Sequence, residues 1–186
     1  MVGHNAPRES CDVFFYEMAQ RVGIEGLNAM NARLGLGQRP DLPFSGMSAG
    51  VNPSRAWKQE KQGSEWLIGD TINTSIGQGY VLATPMQLAV MAARIASGRL
   101  VIPRIVKSPT AATDPLAESL GISTEALALV HQGMFDGVNS DCGTAKASRI
   151  VTEGQFMAGK TGSSQVFSIT AAERAEGVRT HAELPW

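Results

Sequence analysis

The tetrapeptide Lys160-Thr161-Gly162-Ser163 places a primary amine beside two hydroxyls and a glycine. Its surroundings, EGQFMAGKTGSS over residues 153–164, fit two incompatible motifs. From Gly154, GQFMAGKT satisfies G-x-x-x-x-G-K-[ST], the loop whose backbone N–H groups hold nucleotide phosphates. From Lys160, KTGS is instead a K-T-G motif, which serves acyl transfer to a serine. The first motif predicts phosphate chemistry, and the second predicts recognition of a carboxylate and an oxyanion.

A phosphate loop needs a helix that opens at its Lys-Thr pair, because the free N–H groups of that helix hold the phosphate. The residues after Thr161 are GSSQVFSI, which favour a strand over a helix. Phe156 and Met157 also stand where such a loop should be small and pliant. We therefore favour acyl transfer, and a nucleotide hydrolase is the remote alternative.

The composition is that of an ordinary globular protein, with 43% hydrophobic and 18% charged residues in a chain of 186. The net charge of -1 and the scattered Lys and Arg residues give no basic surface, so we expect no nucleic-acid partner. The longest mostly apolar run starts at Tyr80 and contains Pro85, Gln87 and Arg94, so it is too short and too polar to span a bilayer. We expect no membrane segment within this sequence.

Metal and cofactor chemistry has no support in the sequence. Cys11 and Cys142 lie far apart and form no C-x-x-C pair. The three histidines, His4, His131 and His181, have no carboxylate or cysteine at ligand spacing. We predict no metal site and no cofactor.

Two consecutive helices are predicted in the first 35 residues. Ser10 is a good N-cap for a helix over residues 11–22, and Gly23 stops it. A second helix follows at once and ends at Gly35. Residues 35–79 are rich in Gly, Pro, Ser and Asn, which predicts ordered loop with one short helix after Pro53.

The second half contains two more helices and a strand. Thr84, Pro85 and Gln87 suit the N-cap, N1 and N3 positions of a helix with a capping box. Another helix is predicted over residues 123–136, and residues 155–168 read as a strand that carries the K-T-G motif.

Longer segments then resemble one enzyme family. WLIGDTINTSIGQGYVLATPMQLAVMAARIASG, over residues 66–98, resembles the helical region of the class B penicillin-binding proteins, most of all the branch specific to cell elongation. SCDVFFYEMA, from Ser10, is similar to the second motif of that family, S-x-N or S-x-D. MAGKTGSSQV, from Met157, matches the third motif, and ITAAERAEGVRTHAELPW, over residues 169–186, looks like the segment that follows it.

The resemblance implies an α/β (α+β) fold, the penicillin-recognising transpeptidase architecture, in which helices flank a central antiparallel sheet. Residues 1–186 would form a partial transpeptidase domain, mainly the helical part plus the motif strand, with an incomplete sheet. The implied activity is crosslinking of peptidoglycan stem peptides that end in D-alanyl-D-alanine, with β-lactams as a second kind of ligand. The parent would be anchored in the bacterial inner membrane by an upstream helix, and would act in the periplasm beside a glycosyltransferase of the elongation machinery.

The same resemblance assigns catalytic roles to three residues. Ser10 would lie in the proton path between the catalytic lysine and the leaving nitrogen, in addition to or instead of capping a helix. Asp12 would help to hold that lysine and a peptide group of the donor. Lys160 would supply positive charge that favours an alkoxide and attracts the terminal carboxylate of the substrate.

Three more residues would bind the substrate. Thr161 would hydrogen-bond the carboxylate, and Gly162 would let a ligand approach the strand closely. Ser163 would direct its backbone N–H at the oxyanion and its hydroxyl at the carboxylate. Gly77, Gln78 and Gly79 have only a weak claim to the site, because they are equally suited to a turn before the next helix.

The nucleophile of the family, the Ser of S-x-x-K, is missing. None of the five lysines has a Ser three residues before it, since those positions hold Arg55, Lys58, Arg104, Gly143 and Met157. We therefore expect this chain to be inactive by itself. A non-catalytic binding or scaffold module is the main alternative function.

Overall fold

A computed structural model describes residues 5–106 and 118–164, and this part of the chain is largely helical. The elements are α1 (Asn5–Glu9), α2 (Asp12–Leu34), α3 (Arg55–Gln62), α4 (Ile68–Ser75), α5 (Pro85–Ser97), α6 (Thr124–Asn139) and a 3-10 turn (Lys146–Ser148). Extended backbone pairs at two isolated bridges, Val51 with Leu82 and Arg99 with Ser119. Among these elements, no helix is both long enough and apolar enough to cross a membrane.

Helix α2 is interrupted at Gly23, where the sequence predicted that one helix stops and a second begins. Gly23 has φ 74° and ψ 164°, which interrupts the helical backbone in a region that glycine adopts at low cost. The helix ends at Gly35, with φ 98°. There the N–H groups of Gly35 and Leu36 donate to the carbonyls of Ala32 and Asn31. Both predicted glycine positions are confirmed.

The predicted role of Ser10 as a helix N-cap is wrong. Cys11 occupies the N-cap of α2, without a side-chain cap bond, and the helix begins at Asp12. The unpredicted helix α1 ends just before Ser10, which takes a left-handed φ of 53° while the Cys11 N–H donates to the Ala6 carbonyl at 3.0 Å. Ser10 therefore closes α1 rather than opening α2, and its hydroxyl caps neither helix.

Helix α5 has the predicted capping box. Thr84 Oγ1 accepts from the Gln87 N–H at 3.2 Å, and Gln87 Oε1 accepts from the Thr84 N–H at 2.9 Å. Gln87 is fully buried, and its Nε2 donates to the carbonyls of Gln38 at 2.7 Å and Ala49 at 2.8 Å. The same side chain thus starts the helix and ties the preceding loop to it.

The region over residues 35–79 contains two helices rather than the one predicted. Helix α3 follows Ser54, whose Oγ accepts from the Trp57 N–H at 3.1 Å. Helix α4 was missed because its sequence, IGDTINTS, is rich in Thr, Asn and Ser, which are weak helix formers. Lys58 on α3 and Asp70 on α4 form a 2.6 Å ion pair, with side chains only 5% and 14% exposed.

Helix α6 starts after Ser123, as predicted, and continues to Asn139, past the expected end at residue 136. It packs against α1, and Ala6 and Val138 are fully buried. Gly137 permits close approach of the segment around Gly159 to α6, because a Cβ there would lie 3.2 Å from the Gly159 carbonyl oxygen.

The predicted motif strand does not form over residues 155–164, the part of it that the structure describes. A strand requires a pairing partner, and no strand of the described residues lies beside this segment. Helix α6 holds it instead. The Gly159 N–H donates to the Met134 carbonyl at 3.1 Å, and Asn139 Nδ2 donates to the Met157 carbonyl at 2.9 Å. Residues 165–168 of the predicted strand, and the segment at 169–186, lie outside the described residues.

Candidate active site

The ammonium of Lys160 joins the segment at Ser10 and the K-T-G segment into one polar cluster. Its Nζ donates to Ser10 Oγ at 2.7 Å, across 150 positions of sequence. It also donates to the carbonyl of Thr161 at 3.0 Å and to Thr161 Oγ1 at 3.3 Å. Lysine and serine are therefore hydrogen-bonded directly, the arrangement needed to move a proton between them.

The junction between α1 and α2 presents Ser10 to this cluster. Its left-handed backbone, with φ 53°, is uncommon for a residue that carries a Cβ. Such strain persists only where the surrounding structure imposes it, and it is found often at functional sites. Here the N–H groups of Ser10 and Cys11 are held by the carbonyls of Pro7 and Ala6 on α1.

Two opposing effects set the protonation of Lys160. Desolvation by the surrounding protein lowers the pKa of the Lys160 ammonium below its ordinary value of 10.5, although the side chain keeps contact with solvent. The negative charge of Asp12 on α2 raises that pKa, but does not cancel the effect of desolvation. A lowered lysine pKa increases the fraction of neutral amine available to accept a proton.

The substrate-binding candidates Thr161, Gly162 and Ser163 lie next to Lys160 and are exposed. Thr161 Oγ1 lies 3.2 Å from the hydroxyl of Thr144. A Cβ added to Gly162 would meet no atom within 4 Å, so the described residues leave open space there. All six predicted site residues thus belong to one region, whose open side faces solvent.

Two residues that hold this tetrapeptide were not predicted as site residues. Gln78 Nε2 donates to the Ser163 carbonyl at 2.9 Å. Thr144 contacts Thr161 by its hydroxyl, and its own N–H donates to the Arg8 carbonyl at 3.3 Å. The Gly-Gln-Gly sequence around Gln78 was a signal for the first, whereas the sequence around Thr144 offered none.

The geometry argues against a phosphate loop. Residues 161–164 are not helical, so no helix N-terminus follows Thr161 within the described chain. The Lys160 ammonium donates to hydroxyl and carbonyl oxygens. The part of the chain that the structure describes also contains no group of three or more His, Cys, Asp or Glu residues fit to hold a metal ion.

A family profile described as "Penicillin binding protein transpeptidase domain" matches residues 4–179. The chain belongs to the penicillin-binding protein transpeptidase family. The match includes Ser10, Asp12 and the Lys160–Ser163 tetrapeptide.

Relatives within the family agree with this assignment. Peptidoglycan D,D-transpeptidase MrdA of Salmonella typhimurium is 34% identical over 180 residues, which cover 88% of this chain and 28% of that protein. The Pseudomonas aeruginosa PBP2 crystal structure, in complex with WCK 5153, is 34% identical with a TM-score of 0.77, and the match covers 88% of this chain and 38% of that chain. This sequence therefore spans less than half of the length of each of these two relatives.

A third relative was solved with another protein. The complex between PBP2 and MreC from Helicobacter pylori contains a chain that is 32% identical to this one, with a TM-score of 0.75. The match covers 88% of this chain and 30% of that chain. These similarities support the expected fold, of which this sequence supplies a mostly helical part.

Proposed function

We propose that this chain supplies the substrate side of a serine-type peptidoglycan D,D-transpeptidase. The observation that carries the proposal is the 2.7 Å hydrogen bond from Lys160 to Ser10, which unites two motifs that the family uses for acyl transfer. The S-x-x-K serine is not among these residues, so the proposal assigns the nucleophile to a segment outside this sequence.

In the proposed reaction, the nucleophilic serine attacks the carbonyl carbon of the penultimate D-alanine of a stem peptide. The bond to the terminal D-alanine breaks, and its nitrogen leaves with the proton that the nucleophilic serine hydroxyl gave up. Ser10 and Lys160 form the path by which that proton reaches the leaving nitrogen. The Lys160 ammonium, which donates to Ser10 Oγ, keeps positive charge beside that path.

The remaining residues of the tetrapeptide recognise the donor. Thr161 and Ser163 provide hydroxyls beside the Lys160 charge, a combination that suits a terminal carboxylate. The Ser163 N–H is assigned to the oxyanion that develops during attack. The open space beside Gly162 allows the donor peptide to lie against the backbone. β-Lactams present a similar carboxylate and carbonyl, and would occupy the same place.

The cellular setting is proposed from the relatives. Because a neighbouring structure is a complex of PBP2 with MreC, we propose that the whole protein works within a cell-elongation assembly. A polymerising glycosyltransferase would act beside it, at the periplasmic face of the inner membrane.

The proposal is tested by labelling with a fluorescent penicillin. A protein that joins this chain to its S-x-x-K segment should become covalently labelled, and Lys160→Ala should reduce the labelling rate by about a hundredfold or more. The chain of 186 residues without that segment should not be labelled. Absence of labelling in the joined, folded protein would refute the proposed function.

A further inference from the structure

A tight turn after α4 presents the side chain of Gln78. Gly77 and Gly79 both have φ 73°, a left-handed conformation that favours glycine, and they flank Gln78 on either side. The Gln78 N–H donates to the Asn73 carbonyl at 2.9 Å, and the Gly77 N–H donates to the Thr74 carbonyl at 3.1 Å. The turn is therefore fixed to the carboxyl end of α4.

The buried pair Lys58 and Asp70 fixes α4 in turn. Asp70 Oδ2 accepts from Lys58 at 2.6 Å and from the Leu67 N–H at 2.7 Å. The ring of Tyr80, the residue that follows the turn, lies 5.6 Å from the Lys58 ammonium and 5.3 Å from the Trp57 ring. The turn is thus held at both ends, by α4 on one side and by the aromatic residues on the other.

From this rigid support, Gln78 reaches the motif segment. Its Nε2 donates to the Ser163 carbonyl at 2.9 Å, across 85 positions of sequence. The Thr144 contact, in comparison, involves only the Thr161 side chain, whose torsion can change without moving the backbone. The Gln78 contact acts directly on the backbone of Ser163, the residue that would supply the oxyanion N–H.

We propose that Gln78 is a positioning residue for acyl transfer, and that it fixes the orientation of the Ser163 backbone. Because segment 155–164 has no strand partner among the described residues, its backbone orientation depends on isolated contacts of this kind. Positioning of an oxyanion donor acts on the transition state more than on the bound substrate. This inference rests on the proposed transpeptidase function and names a residue that the two family motifs do not contain.

The test measures penicillin acylation kinetics in the protein joined to its S-x-x-K segment. Gln78→Ala should lower the acylation rate constant about five- to tenfold, the size expected from one lost hydrogen bond, with little change in non-covalent affinity. Gln78→Glu should be impaired at least as much, because an ionised carboxylate cannot donate to a carbonyl. Gln20→Ala is the matched control, since it removes an exposed glutamine whose amide bonds only the Tyr16 carbonyl on its own helix.

A second readout uses the chain as it stands. Loss of the hydrogen bond to the Ser163 carbonyl should shift the NMR signal of the Ser164 amide, which shares that peptide group, in Gln78→Ala and not in Gln20→Ala. Unchanged melting temperatures together with the rate loss would support positioning over general stabilisation.

The outcomes separate the two proposals. If Gln78→Ala or Gln78→Glu is acylated at the same rate as the wild-type protein, the positioning role alone is overturned. A wild-type protein that is folded but never acylated would overturn the proposed function, and the positioning role with it.

Discussion

Lys160 Nζ lies 2.7 Å from Ser10 Oγ, although 150 residues separate them. The contact depends on two packing arrangements. Helix α1 packs on α6 and ends at Glu9, next to Ser10, while the segment before Lys160 is bonded along α6 by its backbone. Helix α6 is therefore the common support that brings the two motifs together.

The protonation of Lys160 gives the first prediction. Because desolvation lowers its pKa below 10.5, Lys160 should lose its proton at a lower pH than an ordinary lysine. Asp12→Asn should lower that pKa further, because it removes the negative charge that favours the ammonium. NMR titration of the dimethylated lysines measures both effects. Lys61, whose pKa is raised by its exposed pair with Glu60, is the internal reference, and a Lys160 that titrates with or above Lys61 would contradict the prediction.

The backbone of Ser10 gives the second prediction. Its φ of 53° disfavours any residue with a Cβ, by about 1 kcal/mol. The free energy of unfolding of Ser10→Gly should therefore be about 1 kcal/mol higher than that of Ser10→Ala. Both variants lack the hydroxyl that accepts from Lys160, so the comparison isolates the backbone effect. Urea denaturation compares the two. Equal stabilities would show that the left-handed conformation is not maintained in solution.

The pair Lys58 and Asp70 should make stability sensitive to acid. Burial acts to raise the pKa of Asp70, but the hydrogen bonds from Lys58 and the Leu67 N–H outweigh it, and the net pKa is below 3.8. A carboxyl with a lowered pKa stabilises the fold above its unfolded-state pKa, and that stabilisation is lost as pH falls through the folded-state value. Asp70→Asn should lower the melting temperature at pH 7 and flatten the loss of stability in acid.

The exposed pair Asp141 and Lys146 is the control for that experiment. Asp141 also has a lowered pKa, through its hydrogen bond from Lys146, but its side chain is 91% exposed and the pair is screened by solvent. Asp141→Asn should leave the acid dependence nearly unchanged. If it had the larger effect of the two, the buried pair would not be the source of the pH dependence.

The capping box of α5 gives a prediction about stability alone. Thr84→Ala removes the acceptor for the Gln87 N–H and should cost about 1 kcal/mol. Gln87→Ala should cost more, because it also leaves the carbonyls of Gln38 and Ala49 without their donor, at about 1–3 kcal/mol for each. Gln132→Ala, an exposed glutamine on α6, should be close to neutral. Chemical denaturation gives the ranking, and a Gln87→Ala variant no less stable than Thr84→Ala would contradict it.

Local sequence signals predicted the helices with clear caps. Thr84 and Ser123 each begin a helix, and Gly23 and Gly35 each interrupt or end one. These features were readable because a cap is decided by a few neighbouring residues. Resemblance predicted which residues would form the candidate site, and the structure places those residues in one region.

The errors occurred where distant residues decide the local structure. Ser10 looks like an N-cap in isolation, but the preceding α1 takes it into a left-handed turn. The segment at 155–164 was predicted as a strand, but within the described chain its backbone bonds are made with α6 and Gln78. The proposed role of Gln78 depends on a contact 85 residues away, and the Gly-Gln-Gly turn sequence does not reveal its partner.

The central claim, that Lys160 and Ser10 act as one unit in acyl transfer, is tested most directly by a double-mutant cycle. The measured quantity is the penicillin acylation rate constant of Ser10→Ala, Lys160→Ala and the double variant, in the protein joined to its S-x-x-K segment. If the 2.7 Å hydrogen bond is part of one proton path, the double variant should be little worse than the more damaging single variant. Rate losses that multiply independently would contradict the account.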